Sequence, residues 1–184
     1  TIGTFSGTST ISFGSEYVFN PTTTDYISAS ALDSTHFVVA YMDGGESNRG
    51  KAKIGTVTDS TITFGSKYEF NSADTRYISA AALDSTHFMV GYRDGDAIGR
   101  AVIGTFSGTS TIEFGSEYNF SSTTISAKNT SASALDFTHF VIWYENSSPA
   151  IGRATIGTFS GTSTISFGSE YEFNPTSAIF ISVS

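Results

Sequence analysis

The segment TIGTFSGTSTISFGSEY at residues 1–17 returns letter for letter at residues 155–171. Looser copies lie between them, as the Phe-Gly-Ser triplets show: Phe13, Phe64, Phe114 and Phe167 open these at steps of 51, 50 and 53 residues. A second motif, Ala-Leu-Asp-x-Thr-His-Phe, sets Asp33, Asp84 and Asp136 at steps of 51 and 52. One unit is therefore about 51 residues long. Self-similarity at such a period marks a repeat architecture, in which each unit buries its apolar face against the next.

Within a unit the side chains alternate in twos, the period of strands. In the quoted copy Ile11, Phe13, Tyr17 and Phe19 share one face of a single strand, and the later copies keep the pattern, as with Ile62, Phe64, Tyr68 and Phe70. One greasy and one polar face means a half-buried strand. Residues 37–41 (FVVAY), 88–92 (FMVGY) and 140–144 (FVIWY) are apolar on both faces and read as central strands. Ahead of each lie small residues, as in ISASA at 27–31, suited to a crowded place where sheets converge. After each come turn residues and a mixed strand such as 99–106. A unit thus holds four strands: small-residue, apolar, mixed and amphipathic.

Four antiparallel strands per unit of about 51 residues, graded from small residues to a half-exposed edge, resemble a β-propeller blade. The likeness to WD-type and lectin-type blades lies in the strand order and in the turn at residues 32–37 (LDSTHF), although the signature Gly-His and Trp-Asp pairs are missing. A parallel β-helix is the rival reading. The resemblance implies an all-β chain of four-stranded blades: 1–20 as the third and fourth strands of a split blade, 26–71, 77–120 and 125–174 as blades, and 178–184 as the first strand of an incomplete one. One apolar central strand is then missing from the tally.

Nine Lys and Arg against seventeen Asp and Glu give a net charge of -8, with no basic cluster, which argues against nucleic acid and anionic membranes as partners. The chain has no cysteine, hence no disulfide and no thiolate chemistry. No stretch approaches the roughly 20 apolar residues of a membrane span, so no membrane insertion is expected, and a place at or outside the cell surface is slightly favoured.

His36, His87 and His139 hold one slot in successive units, and three imidazoles invite a metal reading. The competing reading is local: Asp33, Asp84 and Asp136 cap their turns, with the histidines bonded beside them. The acidic turns after Asp43 and Asp94 resemble calcium loops in composition but lack their spacing, and read as hairpin turns. No metal or cofactor is expected. Tyrosine offers a flat apolar face and a hydroxyl, apt for stacking on a sugar. Candidate ligand-binding residues are therefore Tyr41, Asp43, Tyr92, Arg93, Asp94, Trp143 and Tyr144, although most of these rings also fit a core. Met42, Arg93 and Glu145 replace one another beside the tyrosines, a pattern expected of exposed strand ends.

The function expected is a non-enzymatic, multivalent binding module, lectin-like, with glycan or protein ligands in equivalent inter-blade clefts. The alternatives are an adhesive or structural scaffold without a small-molecule site and, third, a glycoside-active enzyme. Unpaired strand edges in the first and last units further suggest self-association through the terminal blades.

Overall fold

A computed structural model describes residues 1–121, 127–147 and 150–174. The strands run β1 (Gly3–Ser6), β2 (Thr10–Phe13), β3 (Thr24–Ala31), β4 (His36–Asp43), β5 (Arg49–Thr58), β6 (Thr61–Phe64), β7 (Tyr68–Asn71), β8 (Arg76–Ala82), β9 (His87–Arg93), β10 (Gly99–Ser107), β11 (Thr111–Phe114), β12 (Tyr118–Asn119), β13 (Ala127–Ala134), β14 (His139–Ser147), β15 (Ala150–Ser160), β16 (Thr164–Phe167) and β17 (Tyr171–Asn174). Three sheets, β3–β7, β8–β12 and β13–β17, repeat one antiparallel meander, and β1–β2 forms a two-stranded fourth. The chain is all-β and builds a propeller-like array of blades. Pairing within every sheet is antiparallel, which overturns the parallel β-helix. The expected first strand at 178–184 lies outside the described residues, as do residues 125 and 126 of the third blade.

The repeated 17-mer forms the same hairpin twice. Gly3 pairs with Phe13 and Ser6 with Thr10 in the first copy, as Gly157 pairs with Phe167 and Ser160 with Thr164 in the last. Gly7 and Gly161 turn these hairpins at φ of 65°, as Gly108 turns the β10–β11 hairpin at 62°, a left-handed conformation that suits glycine.

The amphipathic strand differs from its expected form: it is split. β6 and β7 both pair with β5, at opposite ends, and the break falls at Gly65. The Gly65 N–H still bonds the Ile54 carbonyl at 2.9 Å, but the hairpin turn of the next blade presses on it there. A Cβ on Gly65 would sit 2.2 Å from the Ser110 Cβ, and one on Gly115 2.3 Å from that of Ser163. Interrupting the outer strand also blunts an edge open to unwanted pairing.

Aromatic rings fix each blade internally. Phe37, Phe88 and Phe140 lie opposite Gly55, Gly104 and Gly157, where a Cβ would come within 2.3 Å of the ring. Each phenylalanine stands edge-on to the outer-strand ring of its own blade: Phe37 to Phe64, Phe88 to Phe114 and Phe140 to Phe167, with centroids 5.9 Å apart. Between blades, Phe19 meets Tyr41 at 5.1 Å, Phe70 meets Tyr92 at 5.1 Å, and Phe120 meets Tyr144 at 5.2 Å.

At the inner edge, the small residues do what crowding requires. Ser28 and Ser30 hydroxyls accept the backbone N–H groups of Ala80 and Ala82 at 3.0 Å, and Ser79 accepts that of Ala132 at 2.9 Å. A first strand pairs with a neighbour on one side only, so half its N–H groups would otherwise lack partners. Serines of the preceding blade supply three of them.

Phe88 is fully buried, and its replacement by alanine should cost about 3–5 kcal/mol, typical for a buried phenylalanine. Val18→Ala, at a position 77% exposed, should cost under about 0.5 kcal/mol. Urea midpoints of the two variants check this; equal shifts would contradict the packing described.

Candidate functional site

Each second strand carries near its end a tyrosine that lies opposite a bulge in the first strand. In the first blade the pairing jumps from Asp25–Met42 to Ser28–Ala40, so Tyr26 and Ile27 together oppose Tyr41. Tyr77 and Ile78 oppose Tyr92, and Asn129 and Thr130 oppose Tyr144, in the same way. The leading bulge residue is left-handed in all three, with φ of 51° at Tyr26, 52° at Tyr77 and 48° at Asn129. Such strain in non-glycine residues costs on the order of 1–2 kcal/mol per residue. It re-aims these side chains along the inner rim: Tyr26 and Tyr77 rings lie 5.1 Å apart, and the Asn129 amide donates to Glu145 at 2.8 Å.

Tyr41, Tyr92 and Tyr144, expected as stacking platforms, are at most 1% exposed and belong to the core between blades. Burial pushes the Tyr41 hydroxyl up to about 12. Burial, with Glu117 beside Tyr92 and Glu170 beside Tyr144, pushes the other two higher still. Met42 and Glu145, expected at exposed strand ends, are buried at 6% and 8%: Met42 packs in the core cluster it shares with the second blade, and Glu145 accepts from the Asn129 amide of its own blade's bulge. Arg93 is half-buried with its guanidinium 5.8 Å from the Tyr77 ring centre. Trp143 is half-buried on the far face of the third blade, its ring 5.4 Å from that of Phe173.

Asp43 and Asp94 are buried where consecutive blades meet. Asp43 accepts from Thr22 Oγ1 at 2.8 Å, from the Gly45 N–H at 3.1 Å and from Lys67 Nζ at 2.9 Å. Burial raises its pKa, but the bonds from Lys67 and Thr22 outweigh this and hold it at about 2. Lys67 also binds Glu46, while Lys51 binds Glu46 at 2.8 Å and Glu69 at 2.7 Å. In the second blade Asp94 accepts the Asp96 and Ile98 N–H groups, each at 3.0 Å, and the Arg100 Nε; Arg100 also approaches Glu117 at 3.6 Å, and Glu117 accepts the Tyr92 hydroxyl.

The third blade departs from this arrangement. Where Asp43 and Asp94 stand in the others it has Asn146, 5% exposed, whose Oδ1 has no partner among the described residues. Its arginine, Arg153, binds Glu170 at 2.7 Å through Nη1, and its Nε has no partner among the described residues. Beside this pair a cleft of about 620 Å³ opens between the second and third blades, lined by Asn119, Phe120, Ser121, Arg153, Phe167 and Glu170 among others. Lys51, Lys67, Arg100, Glu117, Arg153 and Glu170 escaped the sequence reading. Their one signal is charge at two fixed places: before the fourth-strand tyrosine, and four residues before the glycine that faces the second-strand phenylalanine.

The histidines serve their own turns. Asp33 Oδ1 accepts the Thr35 N–H at 2.7 Å, the Thr35 hydroxyl at 2.9 Å and the His36 N–H at 2.8 Å, while Oδ2 lies 2.8 Å from His36 Nδ1. Asp84 and Asp136 repeat this box. The outer faces of His36 and His87 rest on Phe106 and Phe159 of the next blade, centroids 5.1 Å apart. No group of three His, Asp or Glu side chains placed to hold a metal occurs among the described residues. Compared with protein-family models, curated proteins and solved structures, the chain matches none.

Partial burial raises the Asp84 carboxyl, but the Thr86 and His87 donors outweigh it and hold the group at about 2. An unfolded aspartate titrates near pH ~3.9, so this stabilisation is fully present above about pH 4 and is lost as pH falls toward about 2. Asp84→Asn should lower the urea midpoint at neutral pH and flatten the acid limb in that window. An unchanged acid limb would contradict the box.

Proposed function

We propose that the chain is a non-enzymatic binding module that takes hydroxyl-rich ligands, carbohydrate above all, in clefts between successive blades. The observation that carries this reading is the cleft bounded by Asn119, Ser121, Arg153 and Glu170, with Phe120 and Phe167 in its wall. At about 620 Å³ it is in the size range of small-molecule sites, roughly 300–1,000 Å³. A guanidinium, an amide and a hydroxyl donate there, a carboxylate accepts, and apolar ring surface lies alongside. A sugar matches that mixture, because each hydroxyl both donates and accepts and each pyranose has an apolar face. An anion would face Glu170 and a net charge of -8.

Repetition supports a multivalent reading, since the same frame of arginine or lysine, carboxylate and buried tyrosine recurs at each junction. The junctions are not equal in openness of charge: Arg100 is held on two sides by Asp94 and Glu117, whereas among the described residues Arg153 pairs with Glu170 alone. Weak sites on one frame gain avidity when a ligand presents repeated groups. A scaffold role is the second reading, favoured by the first junction, where Lys67 is locked between Asp43 and Glu46.

A glycan array followed by calorimetric titration with the best sugar tests the proposal. Arg153→Ala should weaken binding at least about tenfold, as loss of a charged hydrogen bond of about 1.5–3 kcal/mol implies. Arg76→Ala, which removes an ion pair to Asp74 outside the cleft, should leave it unchanged. No glycan binding up to millimolar concentration would leave the scaffold reading standing.

A further inference from the structure

Arg93 is out of balance with its surroundings. Lys53, Arg93 and Lys128 are the lysines and arginines that form no ion pair among the described residues. Lys128 stands directly across from Glu145 on the neighbouring strand, whereas the residue across from Arg93 is a second arginine, Arg76, already tied to Asp74 at 2.9 Å. Directly opposed residues of an antiparallel pair share a face, and like charges there are destabilising. The Arg93 Nε is buried and has no hydrogen-bond partner among the described residues, a condition that neither lysine shares. A guanidinium cannot shed its proton to escape it. The chain ends do not account for this, because the second blade lies between two complete sheets, β3–β7 and β13–β17. At the matching positions of those blades Met42 packs in the core and Glu145 accepts from the Asn129 amide.

The seam in which Arg93 lies holds a second unpaired group. Arg93 and Gly91 are two residues apart on β9 and so point to the same side of the sheet. A Cβ on Gly91 would lie 3.6 Å from Thr130 Cγ2, so that side faces the first strand of the third blade. The Thr130 hydroxyl is buried there and also has no partner among the described residues. Tyr77 supplies one wall, with its ring centre 5.8 Å from Arg93 Cζ. A ring attracts the charge of a guanidinium without engaging its N–H donors, so the fork of Arg93 still lacks an acceptor.

We propose that this seam between the second and third blades binds one carboxylate of a small organic acid. Arg93 donates to it through its guanidinium fork, the geometry that suits a planar carboxylate. The Thr130 hydroxyl donates a further hydrogen bond, and the Tyr77 ring screens the pair from water on one side. One guanidinium carries one positive charge, which a carboxylate monoanion balances; a phosphate dianion would leave charge over in a protein of net charge -8. Asp74 is taken by Arg76 and Glu145 by Asn129, so neither competes for Arg93. The site is separate from the cleft beside Arg153 and does not depend on what that cleft binds.

Titration of the isotope-labelled chain with sodium acetate, followed by nuclear magnetic resonance at constant ionic strength, tests it. The Arg93 Nε–Hε signal and the Tyr77 and Thr130 amides should move along one saturating curve, while sodium chloride moves none of them and inorganic phosphate binds more weakly than acetate. Arg93→Gln should weaken acetate binding at least about tenfold, as loss of a charged hydrogen bond implies. Arg49→Gln, at an exposed ion pair with Glu69, should leave it unchanged. A linear drift that chloride reproduces, phosphate binding tighter than acetate, or saturation that survives Arg93→Gln would each overturn the proposal. Should Arg93→Gln fail to fold, the wild-type titrations with the three salts decide alone.

Discussion

The contact between a phenylalanine on the outer side of one blade and a tyrosine near the end of the next blade's second strand is the joint on which this array depends. Phe19 on Tyr41, Phe70 on Tyr92 and Phe120 on Tyr144 keep a centroid distance of 5.1–5.2 Å. Burying such a ring contributes about 1.5–3 kcal/mol, and the ring-to-ring contact about 0.5–1.5 kcal/mol more. Exposed ion pairs like Arg49–Glu69 contribute about 0–1 kcal/mol each. The aromatic joint therefore contributes more than these exposed pairs, while the charged groups around it decide what the junction can recognise.

Other features follow from seating that tyrosine. Two first-strand residues bulge opposite it, which carries Tyr26, Tyr77 and Asn129 into left-handed backbone. Just beyond the bulge the first strands come close enough for Ser28, Ser30 and Ser79 to take backbone N–H groups of the next blade. Larger side chains there would hold the strands apart, so the small residues and the buried tyrosine answer one constraint. A chain with no cysteine relies on this packing, without a covalent staple.

Much of the fold was legible in the sequence because its determinants repeat at a fixed period. The apolar pentads gave central strands, the LDSTHF turn gave the capping box, and the duplicated 17-mer gave identical hairpins. The split of the outer strand was not legible. It recurs in the third blade, where β16 and β17 break at Gly168 without a following turn against it, so it belongs to each blade's own backbone, and alternation along one strand carries no record of where the strand breaks. The candidate site was read less well. Tyrosine at a strand end suits a sugar platform and a core equally, and only the partner ring decides. Arg153 lies far from Glu170 and Asn119 in sequence, so no local pattern brings the three to one cleft.

A double-mutant cycle across a junction tests the central claim most directly, using Phe70→Leu, Tyr92→Leu and the pair, with stability read from urea unfolding. The account predicts a coupling of about 0.5–1.5 kcal/mol between Phe70 and Tyr92, matched by the Phe120–Tyr144 cycle at the next junction. Additive losses at both junctions would show that the blades do not depend on these aromatic joints, and would contradict the account.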